Sequence, residues 1–243
     1  MAIKPILFNT EMVRAILDGR KDATRRIVKG FIPDDAVWGY TAFTPKGYIS
    51  CRGTFADGYG EKFFKLPCEP GDILYVRETF AWCPCWDCGL DIEPGRCSNA
   101  TAKIYKEGEY GCYMYRASCE DNEYPSADTW HPSIHMPKEA ARIWLKVTDV
   151  RVERLQEISE DGAKAEGANF KNGKNVGVEE KMNRTAIERF VEIWNSTIKK
   201  ADLDRYGWNA NPYVWVIEFE RCEKPAESPY AWNDAIHKLT KGV

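Results

Sequence analysis

The sequence predicts an α+β protein that is mainly β, a small barrel with flanking helices. Short β-branched or alternating runs dominate the first two thirds of the 243 residues, helical periodicity returns only after Ser159, and Pro and Gly punctuate the runs between. This length can bury a sizeable core. The expected organisation is one domain over residues 1–222, a cysteine-rich insertion at about 83–128 and a peripheral tail at 223–243.

The elements follow in chain order. A strand at 5–8 leads into a short helix capped by Thr10, whose Met12, Val13, Ile16 and Leu17 share one face and which Gly19 stops in the left-handed conformation. Strands are predicted at 24–28, 47–51, 73–77, 103–105 and 113–117, and a longer one at 143–154 starts apolar and then alternates. Ser159 caps a helix that stops at Gly167, and Thr185 caps a longer one with Ile187, Phe190, Val191 and Trp194 on its apolar face. Residues 169–178, rich in Gly and Asn, are expected to form a mobile loop. A last strand spans 212–220, and the tail carries at most one short helix.

The formal net charge of -3 argues against a protein that coats long nucleic acid through its overall field. No apolar run approaches membrane-spanning length and the first residues lack the hydrophobic region of a secretory signal, so a cytoplasmic protein without a membrane partner is expected. A local basic cleft stays open. Arg14, Arg20, Lys21, Arg25, Arg26 and Lys29 crowd one neighbourhood in which Asp18 and Asp22 are the acidic residues. Lys21 and Thr24, three residues apart at the bend after the first helix, could bring an ammonium and a hydroxyl to one small site; the plainer alternative is a solvated basic turn. Asp22, next to Lys21 in sequence, would raise the lysine pKa.

Nine cysteines are many for a cytosolic chain, and an odd number resists a simple disulfide framework. Six fall between residues 83 and 119. Cys83, Cys85, Cys88 and Cys97 supply the thiolates a structural zinc would need, Cys85 and Cys88 in C-x-x-C spacing, but the second half of a normal zinc pattern is missing. The alternative is a set of reduced, partly buried thiols. His131 and His135 are further potential ligands that serve equally well as turn residues.

Gly19-x-Lys21-x-x-Thr24-x-Arg26 after a short helix resembles the G-x-K-x-x-[ET]-x-R signature of the ASCH domain, a β-barrel relative of the PUA RNA-binding fold. The Pro70 to Thr79 run, Trp130 to Pro137, Val147 to Leu155 and Asn211 to Phe219 are similar to segments of the larger ASCH-like proteins carried by phages and prophages. The resemblance implies a PUA-like barrel, with the cysteine-rich stretch as an insertion outside the common pattern. It also implies RNA recognition or, as in a small bacterial branch, hydrolysis of the N4-acetyl group of acetylated cytidine by a lysine, a threonine three residues on and a distant glutamate. These match Lys21, Thr24 and Glu78 here.

In that mechanism a desolvated Lys21 takes the Thr24 proton, Thr24 attacks the amide carbonyl, and Glu78 orients the lysine or protonates the leaving amine. Arg25, Arg26 and Arg77 would hold a phosphate or the developing oxyanion. Two functions are therefore expected to compete: an amidohydrolase of an N4-acylated cytidine, and a non-catalytic module that binds RNA or a modified base. Trp38, Tyr40, Trp82, Trp86, Trp130 and Tyr213 could stack on bases in either, whereas Trp144, Trp194 and Trp215 are assigned to the core. Nuclease activity, associated with some ASCH proteins, finds no acidic metal-binding cluster in the sequence.

Overall fold

The architecture is that of a computed structural model, described over residues 1–84, 104–106, 109–119, 129–168 and 185–225. It is mixed α+β with strands predominant. Its centre is a five-stranded sheet, built from β1 (Ile3–Leu7), β2 (Ala23–Ile27), β6 (Ile73–Arg77), β10 (Trp144–Arg154) and β11 (Tyr213–Cys222). The order is β1-β6-β10-β11-β2, with β1 parallel to β6 and the other pairs antiparallel.

Two smaller antiparallel sheets flank it. One orders β3 (Val37–Gly39), β4 (Tyr48–Phe55) and β5 (Gly58–Lys65), and the other orders β7 (Phe80–Pro84), β9 (Glu109–Tyr115) and β8 (Ile104–Lys106). The expected barrel closure is not made by backbone pairing: β1 and β2 are the outer strands of an open sheet. Pro5 removes one ladder donor from β1. A side chain spans the gap instead, Arg26 Nη2 donating to the Leu7 carbonyl at 2.8 Å.

Alternation along β11 sorts the core into layers. Trp215, Ile217 and Phe219 face a cluster with Ile6, Phe8, Leu74, Val76 and Val147, closed by Val13 and Ile16 of α1 (Thr10–Leu17). Val214 and Val216 face the opposite way, onto α2 (Glu160–Ala165) and α3 (Ala186–Thr197), where Ala163, Phe190 and Trp194 complete a second cluster. Ile73 and Trp144 join Phe80, Tyr113 and Tyr115 in a third, which docks the β7-β9-β8 sheet. Trp144, Trp194 and Trp215 are all buried, as the sequence predicts.

Local signals explain most element ends. The cap of α1 is Asn9 rather than Thr10, because the Asn9 side chain accepts from Met12 N–H at 2.9 Å and Thr10 already lies in the helix. Ser159 caps α2, and Thr185 caps α3 in a reciprocal capping box with Glu188. β3, β5 and β7 are additions to the predicted strands, and β4 lengthens the one expected at 47–51. The expected loop at 169–178 and nearly all of the tail lie outside the described residues. No helix among the described residues is long and apolar enough to cross a membrane.

Candidate functional site

The chain leaves α1 through Gly19, at φ +70, and the Arg20 and Lys21 N–H groups both return to the Ala15 carbonyl. This tight exit brings Lys21 against the end of α2. Asp22 N–H bonds the Ala165 carbonyl at 2.9 Å, and Lys21 and Glu166 form a backbone bridge. Gly167, at φ +83, permits the approach, since a Cβ there would lie 2.9 Å from Ala15 Cβ and 3.2 Å from Lys21 Cβ.

Lys21 is wholly buried, and its ammonium has three acceptors: the Ala23 carbonyl at 2.6 Å, the Glu166 carboxylate Oε2 at 2.6 Å and the Glu166 carbonyl at 3.0 Å. Burial pulls its pKa below the ordinary lysine value; Glu166 opposes the fall, while Arg26 and Arg25 add to it. The carboxylate that matters is thus Glu166 and not the sequence neighbour Asp22, whose side chain is exposed. The three oxygens match the three donors that a lysine ammonium offers.

Glu166 also takes Arg25, whose Nη1 lies 3.4 Å from Oε1 while Nη2 reaches Glu153 at 3.3 Å. Arg25 Nε is buried without a partner, and the guanidinium sits 5.9 Å from the Phe190 ring centroid, on the helical side of the sheet. Arg26 turns to the other side. Its guanidinium and the Lys21 ammonium lie over the same Phe8 ring, at 5.3 Å and 5.5 Å from the centroid. Burial pulls the Arg26 pKa down and Glu166 opposes this, leaving a guanidinium that is still a cation at neutral pH. Thr24 is buried on β2 opposite Ile217, one residue beyond the carbonyl that Lys21 binds.

Glu78 belongs to a second cluster. It is 1% exposed and accepts a bidentate pair from Arg142, Nε and Nη2 each at 2.9 Å. Arg142 also donates to Ser118 Oγ at 2.7 Å and lies 4.0 Å from the Tyr115 ring centroid. Burial raises the Glu78 pKa and Arg142 opposes the rise. The two clusters touch through the backbone, Phe8 N–H bonding the Arg77 carbonyl at 3.2 Å, but no hydrogen bond among the described residues joins Lys21 or Thr24 to Glu78. Arg77 itself donates through Nη2 to the Ile134 carbonyl, with Nε buried and unpartnered.

The structure therefore gathers Lys21 and Arg25 on Glu166 and Lys21 and Arg26 over Phe8, places Thr24 on the adjoining strand without a hydrogen bond to Lys21, and leaves Glu78 and Arg77 with partners of their own. Sequence reasoning missed Glu166, Arg142 and Phe8. The first had a faint signal in the Glu166-Gly167 pair ending a capped helix; the other two had none. Of the thiols considered for zinc, Cys83 is buried on β7 opposite Cys112 of β9, and Cys85, Cys88 and Cys97 lie outside the described residues. No group of three His, Cys, Asp or Glu among the described residues could hold a metal ion.

The aromatic residues divide by use. Trp38 packs edge-on against Phe64 and Tyr213, at 5.1 Å and 5.6 Å between ring centroids, which spends both Trp38 and Tyr213 on packing. Trp82 packs against the third cluster, and Arg116 lies 5.5 Å from the Trp130 centroid. Tyr40 is exposed, and Trp86 lies outside the described residues. No family model, no curated protein and no solved structure matches this chain.

Proposed function

We propose that this chain is a PUA-like module of the ASCH type that binds a nucleoside unit, modified or within RNA, without hydrolysing it. The observation that carries the reading is how Lys21 is held. Its Nζ is engaged by three oxygens of Ala23 and Glu166, and no hydrogen bond among the described residues joins it to the Thr24 hydroxyl that a general base would have to deprotonate. Glu78, committed to both forks of Arg142, is likewise not within hydrogen-bond contact of the lysine. Arg26 supports binding, since its one hydrogen bond goes to the Leu7 carbonyl and its remaining donors are open to a ligand. A PUA-like barrel accounts for outer strands that approach each other across a side-chain bridge.

Incubating the protein with N4-acetylcytidine while measuring both binding and release of cytidine tests this. Saturable binding of N4-acetylcytidine, cytidine or a short single-stranded RNA with no release is the expected result. Turnover that disappears in Lys21→Ala would replace the reading with hydrolysis through Lys21, Thr24 and Glu78. Failure to bind any of the three ligands would remove both.

A further inference from the structure

The gap between the outer strands of the central sheet is a groove of about 370 Å³, at the small end of the range that ligand pockets occupy. Its floor is apolar, formed by Ile6, Leu74 and Ile217. Its walls carry Lys4 and Leu7 from β1 and Arg26 from β2.

Both cations keep hydrogen-bonding capacity. Arg26 has five N–H donors and one hydrogen bond, to the Leu7 carbonyl, and no carboxylate lies within ion-pair distance of it among the described residues. Lys4 donates once, to Asp72 Oδ2 at 2.9 Å. The same carboxylate also accepts from Ala2 N–H at 2.7 Å and Glu69 N–H at 3.2 Å, so its charge is shared among three donors. Two cations on opposite walls above an apolar floor suit a small planar ring that carries an anion. Arginine presents a fork to phosphate oxygens and lysine a point charge. The net charge of -3 disfavours a long polyanion tracked along the surface and favours a single small one.

We propose that this groove binds one free pyrimidine nucleotide, its base on Ile6, Leu74 and Ile217 and its phosphate between Arg26 and Lys4. The proposal rests on the nucleoside-binding reading above and adds the place and the phosphate. Protein with labelled Ile and Leu methyl groups, titrated with cytidine 5′-monophosphate, cytidine and a short oligocytidine RNA, tests it. The monophosphate should bind more tightly than cytidine and should shift the Ile6, Leu74 and Ile217 methyl signals.

Arg26→Ala should weaken monophosphate binding about tenfold or more, the loss typical of a hydrogen bond to a charged group, and affect cytidine much less. Lys4→Ala should give a smaller loss in the same direction, and its partly exposed side chain makes it the control should Arg26→Ala fail to fold. Monophosphate binding that leaves the three methyl groups unmoved and is unchanged in Lys4→Ala would overturn the groove while sparing the reading. RNA binding without monophosphate binding would overturn the free nucleotide in favour of RNA. Silence from all three ligands would overturn the proposal and the reading together.

Discussion

Two buried carboxylates, Glu166 and Glu78, are matched to cations in different ways. Glu166 serves two, Lys21 and Arg25, both almost without exposure. Glu78 serves one, Arg142, which is 23% exposed. Around Glu166, with Arg26 close by and Glu153 sharing Arg25, three cations meet two carboxylates; Glu78 and Arg142 pair one to one. A site with surplus buried cation attracts an anion, whereas a balanced pair mainly holds elements in place. The Lys21 cluster staples the helical layer to β2, and the Glu78 cluster ties the end of β6 to Ser118 beyond β9. The first is therefore the better place for a ligand and the second the better candidate for a structural clasp.

Removing one partner from each cluster breaks the comparison most sharply. Glu166→Ala leaves Lys21 and Arg25 buried without their shared counter-ion and should cost about 3–5 kcal/mol of unfolding free energy, the range for orphaning one side of a buried pair. Arg142→Ala orphans a carboxylate that solvent can reach once the partly exposed guanidinium is gone, so about 2 kcal/mol is expected. Urea denaturation of both variants checks the order. Equal losses would mean that the two clusters carry the same mechanical load.

A smaller effect separates the turn from the site it holds. Gly19 and Gly167 both have positive φ, but a Cβ at Gly19 would meet nothing within 4 Å, whereas one at Gly167 would press on Ala15 and Lys21. Gly19→Ala should therefore cost only the left-handed backbone term, about 1 kcal/mol. Gly167→Ala adds a displacement of the α2 end and should cost about 2 kcal/mol or more. The Gly167 variant should also loosen the Lys21–Glu166 bridge, seen as faster hydrogen exchange at Asp22 N–H than in the Gly19 variant.

Much of this was legible in the sequence because it is written in local signals. Ser159 and Thr185 announce their helices through side chains that reach only three residues, and alternation in β10 and β11 follows from the pleat. The Gly19 to Arg26 cluster was visible for the same reason. β5 was harder: residues 58–65 are largely exposed, so their run lacks the alternation of a half-buried strand. Glu166 and Arg142 lie 145 and 64 residues from the groups they bind, and only tertiary structure makes those pairs. Asp22 shows the limit from the other side, being adjacent to Lys21 in sequence yet not among the charges that govern its pKa.

The smallest expected effect is a difference in pH dependence, and it tests whether Glu78 is a clasp. Burial raises its folded-state pKa, with Arg142 opposing, so the folded protein holds the Glu78 proton more tightly than the unfolded chain does. In the interval between the two pKa values the native state binds more protons, and stability falls as pH rises. The contribution is fully present below the ordinary glutamate value and is lost as pH rises through the raised folded value. Glu78→Gln cannot titrate, so wild type minus variant unfolding free energy, measured by urea at steps upward from about pH 4, should decline and then level off. Arg142→Ala removes the opposing charge, raises the folded-state pKa further and should carry the decline to higher pH. A difference that instead grows with pH would mean that Arg142 outweighs burial and that Glu78 is held ionised in the fold.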